Sequence, residues 1–126
     1  MNEPYYTKKR FGQHFLIDQQ IIQAIVNNIN PKSSDTIIEI GPGNGVLTKP
    51  IAQFNPNLHI IELDRDLIPA LERKFSNHPN ISIYQSDALA FDYASIGKKL
   101  RLIGNLPYNI STPLMFHLIQ FKNNIY

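Results

Sequence analysis

The sequence has no cysteine. Disulfides and cysteine-ligated metal sites are therefore excluded, and a reducing compartment suits the chain. Tryptophan is absent too, and no apolar run approaches the roughly 20 residues of a membrane span, because Asp, Asn or Glu breaks every aliphatic stretch. At the amino end, Pro4 and polar side chains stand where a secretory signal would carry its apolar core, so a cytoplasmic location with no membrane partner is expected. A large excess of one charge is also missing, since 12 Lys and Arg stand against 10 Asp and Glu for a net charge of +2. That balance implies no diffuse field for nucleic acid, although Lys8, Lys9 and Arg10 form one basic group and Lys98, Lys99 and Arg101 another. His59, His78 and His117 have no carboxylate partners at ligand spacing, so no metal is expected. What the chain does have is apolar material, 43% of 126 residues, enough for one domain whose core needs no staples.

Asp18 precedes Ile21, Ile22, Ile25, Val26 and Ile29, whose spacing of three and four predicts an amphipathic helix capped by Asp18. The β-branched run Thr36 to Ile40 reads as a buried strand, followed by a glycine turn and a short helix face of Val46, Leu47, Ile51, Ala52 and Phe54. The alternation repeats with a strand over 58–63 and a helix presenting Leu67, Ile68, Leu71 and Phe75. Further strands are expected over 81–85 and 100–104, and a last helix from about Pro113 through Leu114, Met115, Leu118 and Phe121. Four strands interleaved with helices imply a doubly wound, parallel α/β sheet with right-handed crossovers. Ligands in such a sheet bind outside the carboxyl ends of the strands.

The loops at those ends hold the candidate chemistry. Gly41, Gly43 and Gly45 let backbone approach a ligand and present N–H groups at a helix start, which suits a nucleotide-like group. The dinucleotide fingerprint needs Gly-x-Gly-x-x-Gly, and the third glycine here comes one residue early for a nicotinamide cofactor. Glu62 ends the second strand about 20 residues on, where a carboxylate can accept from both hydroxyls of an adenosine ribose. Asp87 can accept from an adenine amino group, with Leu63 and Ala88 on either side of the ring, or it can simply cap a turn. After the fourth strand comes Asn105-Leu106-Pro107-Tyr108. An exocyclic amine is a poor nucleophile because its lone pair is conjugated into the ring. The Asn105 side-chain oxygen and the Leu106 carbonyl, kept out of sheet pairing by Pro107, can accept its two hydrogens and aim the nitrogen at a methyl donor while Tyr108 stacks on an extruded base.

In order along the chain, residues 9–16 (Lys9-Arg10-Phe11-Gly12-Gln13-His14-Phe15-Leu16), 39–48 (from Glu39 through the glycines to Thr48), 62–64, 87–89 and 104–113 resemble the motifs of the small-subunit ribosomal RNA adenine N6-dimethyltransferases of the KsgA type. The resemblance implies a Rossmann-like, class I S-adenosylmethionine-dependent methyltransferase. Residues 1–17 would form a motif segment and residues 18–126 the α/β portion. It implies cofactor contacts at Gln13, His14, Leu16, Gly41, Gly43, Glu62, Asp87 and Asn105, and base handling by Asn105, Leu106, Pro107 and Tyr108. The family often has Asn where this chain has His14. RNA contacts fall to Lys8, Lys9 and Arg10. The implied activity is dimethylation of two adjacent adenosines in a hairpin near the 3′ end of small-subunit rRNA, within an immature small ribosomal subunit, by a monomer using S-adenosylmethionine and no metal. Family members are longer, so the chain reads as a truncated portion with an incomplete, four-stranded sheet, lacking the later strands and a helical domain. Its fourth strand is expected as an open edge. Three other readings compete: a non-catalytic rRNA-binding or ribosome-assembly fragment, a large-subunit rRNA methyltransferase of the macrolide-resistance type, and a nicotinamide-dependent oxidoreductase.

Overall fold

The structure, a computed structural model, describes residues 18–104, 106 and 108–126, the side chain of Tyr108 excepted. Helix α1 spans Gln19–Ile29. Asp18 caps it as its sequence position predicts, its carboxylate accepting the Gln20 and Ile21 amides at 2.8 and 3.4 Å. Asn30, in the left-handed conformation at φ 49°, closes the other end. The helix buries Ile22 and Val26, with Ile25 and Ile29 partly covered, so the apolar stripe is real but narrower than the spacing suggests. Ile21, expected on that stripe, is 50% exposed.

Four strands follow: β1 Thr36–Ile40, β2 Asn57–Glu62, β3 Ile81–Gln85 and β4 Leu100–Gly104. Among the described residues they form one sheet in the order β3-β2-β1-β4, with every pairing parallel. The register sets Ile40 beside Ile61 and Gly104, and Glu62 beside Gln85, so the carboxyl ends share one edge. The chain leaves β1 toward β2 and β3 on one side, and β4 pairs on the other side of β1. The loops after β1 and β4 therefore diverge and open a crevice, the topological switch point of an open α/β sheet.

Side-chain alternation divides the core into two layers. Ile37, Leu58 and Ile60 pack with Ile22, Val26, Leu47 and Ile51 on one face. Ile38, Ile40, Ile61 and Leu100 pack with Tyr93 and Leu114 on the other. Each such side chain contributes about 1.5–3 kcal/mol by leaving water. Helix α2, Thr48–Ala52, is a single turn and a half with Pro50 inside its first turn, where a missing N–H costs nothing. Phe54, expected on its inner face, is instead 49% exposed beyond its end. Helix α3, Ile68–Lys74, has Pro69 in its first turn, follows a 3₁₀ turn at Arg65–Leu67 and buries Leu71 and, just beyond, Phe75.

Helix α4 corrects the sequence expectation. It spans Tyr108–Ile119, so Pro113 lies inside it instead of opening it. The proline cannot donate to the carbonyl of Asn109, but Asn109 is exposed and water can satisfy that oxygen. Leu114 is buried as expected, whereas Met115 points outward. The edge of β4 is not fully open either. The Leu100 amide donates to Asn124 O and the Tyr126 amide to Leu100 O, both at 2.8 Å, a parallel bridge between Leu100 and Ile125. Among the described residues no helix is long and apolar enough to cross a membrane.

Candidate active site

The glycine loop after β1 turns back on the sheet edge. The Gly41 amide donates to Ile61 O at 2.9 Å, which anchors the loop to β2. Gly43, at φ 62°, directs its amide to Glu62 Oε1 at 3.3 Å. Gly45, at φ 87°, sits so close to Phe75 that a Cβ there would lie 3.1 Å from the ring. Both positions need glycine, one for backbone direction and the other for direction and space. From the far side, Lys74 Nζ donates to Asn44 O at 2.8 Å and fixes the loop's tip.

Glu62 ends β2 beneath this loop and is fully buried. Its Oε2 accepts the Asp64 amide at 2.9 Å, so two backbone donors hold its plane. Asp64 then caps the 3₁₀ turn by accepting the Asp66 amide at 2.9 Å. The second Asp64 oxygen is buried with no partner among the described residues.

A cavity of about 160 Å³ opens beside Glu62, walled by Ile40, Gly41, Leu63, Ala88, Leu106 and Ile110, with Asp87 at its rim. The fold thus brings Gly41, Glu62, Leu63, Asp87, Ala88 and Leu106 together from the ends of all four strands. Leu63, expected as the last strand residue, lies past the strand and is 49% exposed as one wall. Asp87 Oδ1 accepts the Leu89 amide and its carbonyl accepts the Ala90 amide, both at 2.9 Å, which shapes a tight turn at the rim. The slot is apolar on its walls and carries acceptors at its ends. Such a set of acceptors fits a flat purine, a ribose diol and a positive charge.

Sequence reasoning gave no role to two residues here. Glu39 sits mid-strand in β1, is buried, and accepts a hydrogen bond from the Thr48 hydroxyl at the start of α2. Burial pushes its carboxyl up, the Thr48 bond pulls it partly back and the negative charge of Glu62 pushes it up again, leaving it at about 7 against an ordinary 4.5. A lone charged residue in the apolar run Thr36 to Ile40 was the available signal. Tyr93, in the 3₁₀ turn Tyr93–Ser95, is fully buried and donates its hydroxyl to Ala88 O at 2.9 Å, directly behind the cavity wall. Nothing in the local pattern pointed to it.

Other sequence candidates lie elsewhere. Lys8, Lys9, Arg10, Gln13, His14, Leu16, Asn105 and Pro107 fall outside the described residues; Tyr108 contributes the first turn of α4. Lys98, Lys99 and Arg101 do gather in one cleft, but at the amino ends of β1 and β4, away from the crevice. There Arg101 pairs with Asp35 at 2.9 Å and also donates to Ile29 O, so it ties α1 to the sheet. Among the described residues no three His, Asp or Glu side chains are grouped to hold a metal.

The family described as ribosomal RNA adenine dimethylase matches residues 6–125. The chain belongs to that family. A curated relative, ribosomal RNA small subunit methyltransferase A of Dechloromonas aromatica, is 51% identical over 122 residues, which are 97% of this chain and 48% of the relative. The chain thus spans about half the length of the curated relatives it matches. Among solved structures it resembles the 23S rRNA methyltransferase ErmE, with a TM-score of 0.77 and 26% identity over 87% of this chain and 44% of that one. It also resembles a dimethyladenosine transferase of Plasmodium falciparum, with a TM-score of 0.75 and 28% identity over 89% and 40%. This member of the dimethylase family has the Rossmann-like α/β fold of class I methyltransferases, with four strands of its sheet described.

Proposed function

We propose that this chain is the cofactor-binding portion of an S-adenosylmethionine-dependent adenine N6-dimethyltransferase acting on small-subunit rRNA. The observation that carries this reading is the apolar cavity at the switch point, bounded by Glu62 and Asp87 and closed by Leu106 from the 105–108 segment. The donor supplies an electrophilic sulfonium methyl. Glu62, its plane held by the Gly43 and Asp64 amides, accepts from the ribose diol. Asp87 accepts from the adenine amino group, with Leu63 and Ala88 against the ring faces. Gly41 and Gly43 allow the amino-acid end close to the backbone, with Gln13, His14, Leu16 and Asn105 completing the cofactor contacts.

For the transfer itself, the Asn105 side-chain oxygen and the Leu106 carbonyl accept the two hydrogens of the target amine. Pro107 stiffens the turn and Tyr108 stacks on the extruded base. The rate gain comes from positioning of the amine in line with the methyl, and water takes the proton. Lys8, Lys9 and Arg10 meet rRNA phosphates, and the acceptor is a pair of adjacent adenosines near the 3′ end of the rRNA in an immature small subunit. The protein acts as a cytoplasmic monomer. The 51% identity to a small-subunit enzyme against 26% to ErmE favours the small subunit over the large.

Calorimetric titration with S-adenosylmethionine, beside Glu62→Gln, tests the assignment. Saturable binding by the chain, weakened at least tenfold in the variant, supports it. Absence of binding by a chain that circular dichroism shows to be folded refutes it.

A further inference from the structure

We infer that Tyr93 is a positioning residue for the adenine side of the cavity, and that it couples that wall to helix α4. This rests on the cofactor reading above and adds a residue to it. Tyr93 does not itself line the cavity. Its hydroxyl donates to Ala88 O at 2.9 Å, and Ala88 is the wall. Burial and the negative charge of Asp87 both disfavour ionisation of the phenol, so it stays a donor.

The ring is locked in place by its neighbours. Phe91, His117 and Phe121 lie 5.1, 5.8 and 5.5 Å from it, centroid to centroid, at steep interplanar angles. His117 also reaches Phe91 O from its Nε2 at 2.8 Å, and the Gln120 amide lies 3.0 Å from its Nδ1. A carbonyl only accepts, so Nε2 carries the proton and Nδ1 receives the Gln120 donor. Two side chains therefore clamp the 87–91 turn by its carbonyls: Tyr93 at Ala88 and, from α4, His117 at Phe91. Since α4 begins directly after residues 105–107, the same helix backs the adenine wall and carries the base-handling segment at its start.

Removing only the hydroxyl releases Ala88 O and lets the wall shift without opening the core. Tyr93→Phe should bind S-adenosylhomocysteine about fivefold more weakly than the parent chain, the effect of one lost buried hydrogen bond. Hydrogen exchange at the Leu89 and Ala90 amides should quicken in the ligand-free variant, with no change at Ile38 and Ile60. Phe121→Leu, which thins the packing on Tyr93 but keeps the hydroxyl bond, controls for general destabilisation. It should lower the melting temperature while leaving affinity within twofold. Unchanged affinity in Tyr93→Phe, uniformly faster exchange, or equal weakening by Phe121→Leu would overturn the inference. Failure of the parent chain to bind the ligand would instead sink the cofactor assignment itself. Exchange in the parent chain gives a reading that needs no variant: ligand should slow the 88–90 amides, and no slowing at saturation counts against the role.

Discussion

Replacing Glu39 by glutamine should make the protein more stable in mild alkali and flatten part of its pH profile. The carboxyl titrates at about 7 in the folded chain and at about 4.5 in an unfolded one. A group whose folded value is raised stabilises fully below the unfolded value, and that contribution is lost as pH rises through the folded value. At about 1.4 kcal/mol per tenfold, the span from 4.5 to about 7 amounts to about 3 kcal/mol lost by alkaline pH. Between about pH 5 and about pH 8 the loss is about 2–3 kcal/mol, since part has already occurred by pH 5. Glutamine keeps an oxygen to accept the Thr48 hydroxyl and carries no charge to desolvate or to repel Glu62. Urea unfolding followed by circular dichroism at each pH gives the stability difference between the two proteins. Subtraction cancels the titrating groups that are not coupled to Glu39, His59 included. The difference should grow in favour of glutamine as pH rises, by roughly the amount above. A constant difference across that range refutes the argument that Glu39 holds a proton near neutrality.

Three further outcomes follow from the same geometry. His59 is buried with Nδ1 3.0 Å from the Tyr84 hydroxyl and Nε2 without a partner among the described residues, and burial lowers its pKa below 6.5. The unfolded chain therefore binds the proton more readily, so stability falls as pH drops below about 6.5, opposite in sign to Glu39. An NMR titration placing His59 above 6.5 would contradict this. Gly45→Ala combines a φ of 87° with a Cβ 3.1 Å from the Phe75 ring, and should cost about 1–3 kcal/mol in chemical unfolding. A loss below about 0.5 kcal/mol would mean that the loop relaxes freely. Glu62→Gln should lose the cofactor at least tenfold while keeping its far-ultraviolet spectrum, and unaltered affinity would remove Glu62 from the site.

β1 is legible in the sequence because a strand buried on both faces reads as a nearly continuous β-branched run, whereas the outer strands β3 and β4 are legible from short apolar runs interrupted by Ser82 or Arg101. All three begin and end where the sequence places them. β2 is displaced by one residue because Leu63 looks like strand but serves as a half-exposed wall. Helix ends are less legible. Pro113 resembles a helix start, yet α4 runs through it because Leu114 and Leu118 pack into the core and outweigh one lost hydrogen bond. Ile21, Phe54 and Met115 were assigned to inner faces by apolar spacing, and all three point to water. The cavity residues Gly41, Glu62, Leu63, Asp87, Ala88 and Leu106 were foreseeable because strand order matters little when every carboxyl end meets one edge. Tyr93 was not, because its partner is a backbone carbonyl that side-chain patterns do not encode.

Two glutamates at one buried edge pose an electrostatic problem, and the fold solves it by giving them different surroundings. Two ionised carboxylates without compensation would be expensive in a dry interior. Glu62 receives two backbone amides, which favour its charge, and lines the cavity. Glu39 lies one layer deeper with a single neutral hydroxyl donor, which favours its proton. The glycine loop is what makes this division possible. Only a left-handed residue at 43 turns an amide onto Glu62, and the same turn delivers Thr48 to the first turn of α2, within reach of Glu39. Under the proposed function, environment gives one carboxyl to binding and the other to holding the loop, as in sites where paired acids take separate roles. Exchanging those surroundings, for instance by charging Glu39 at high pH, should act on the loop first and on the sheet only through it.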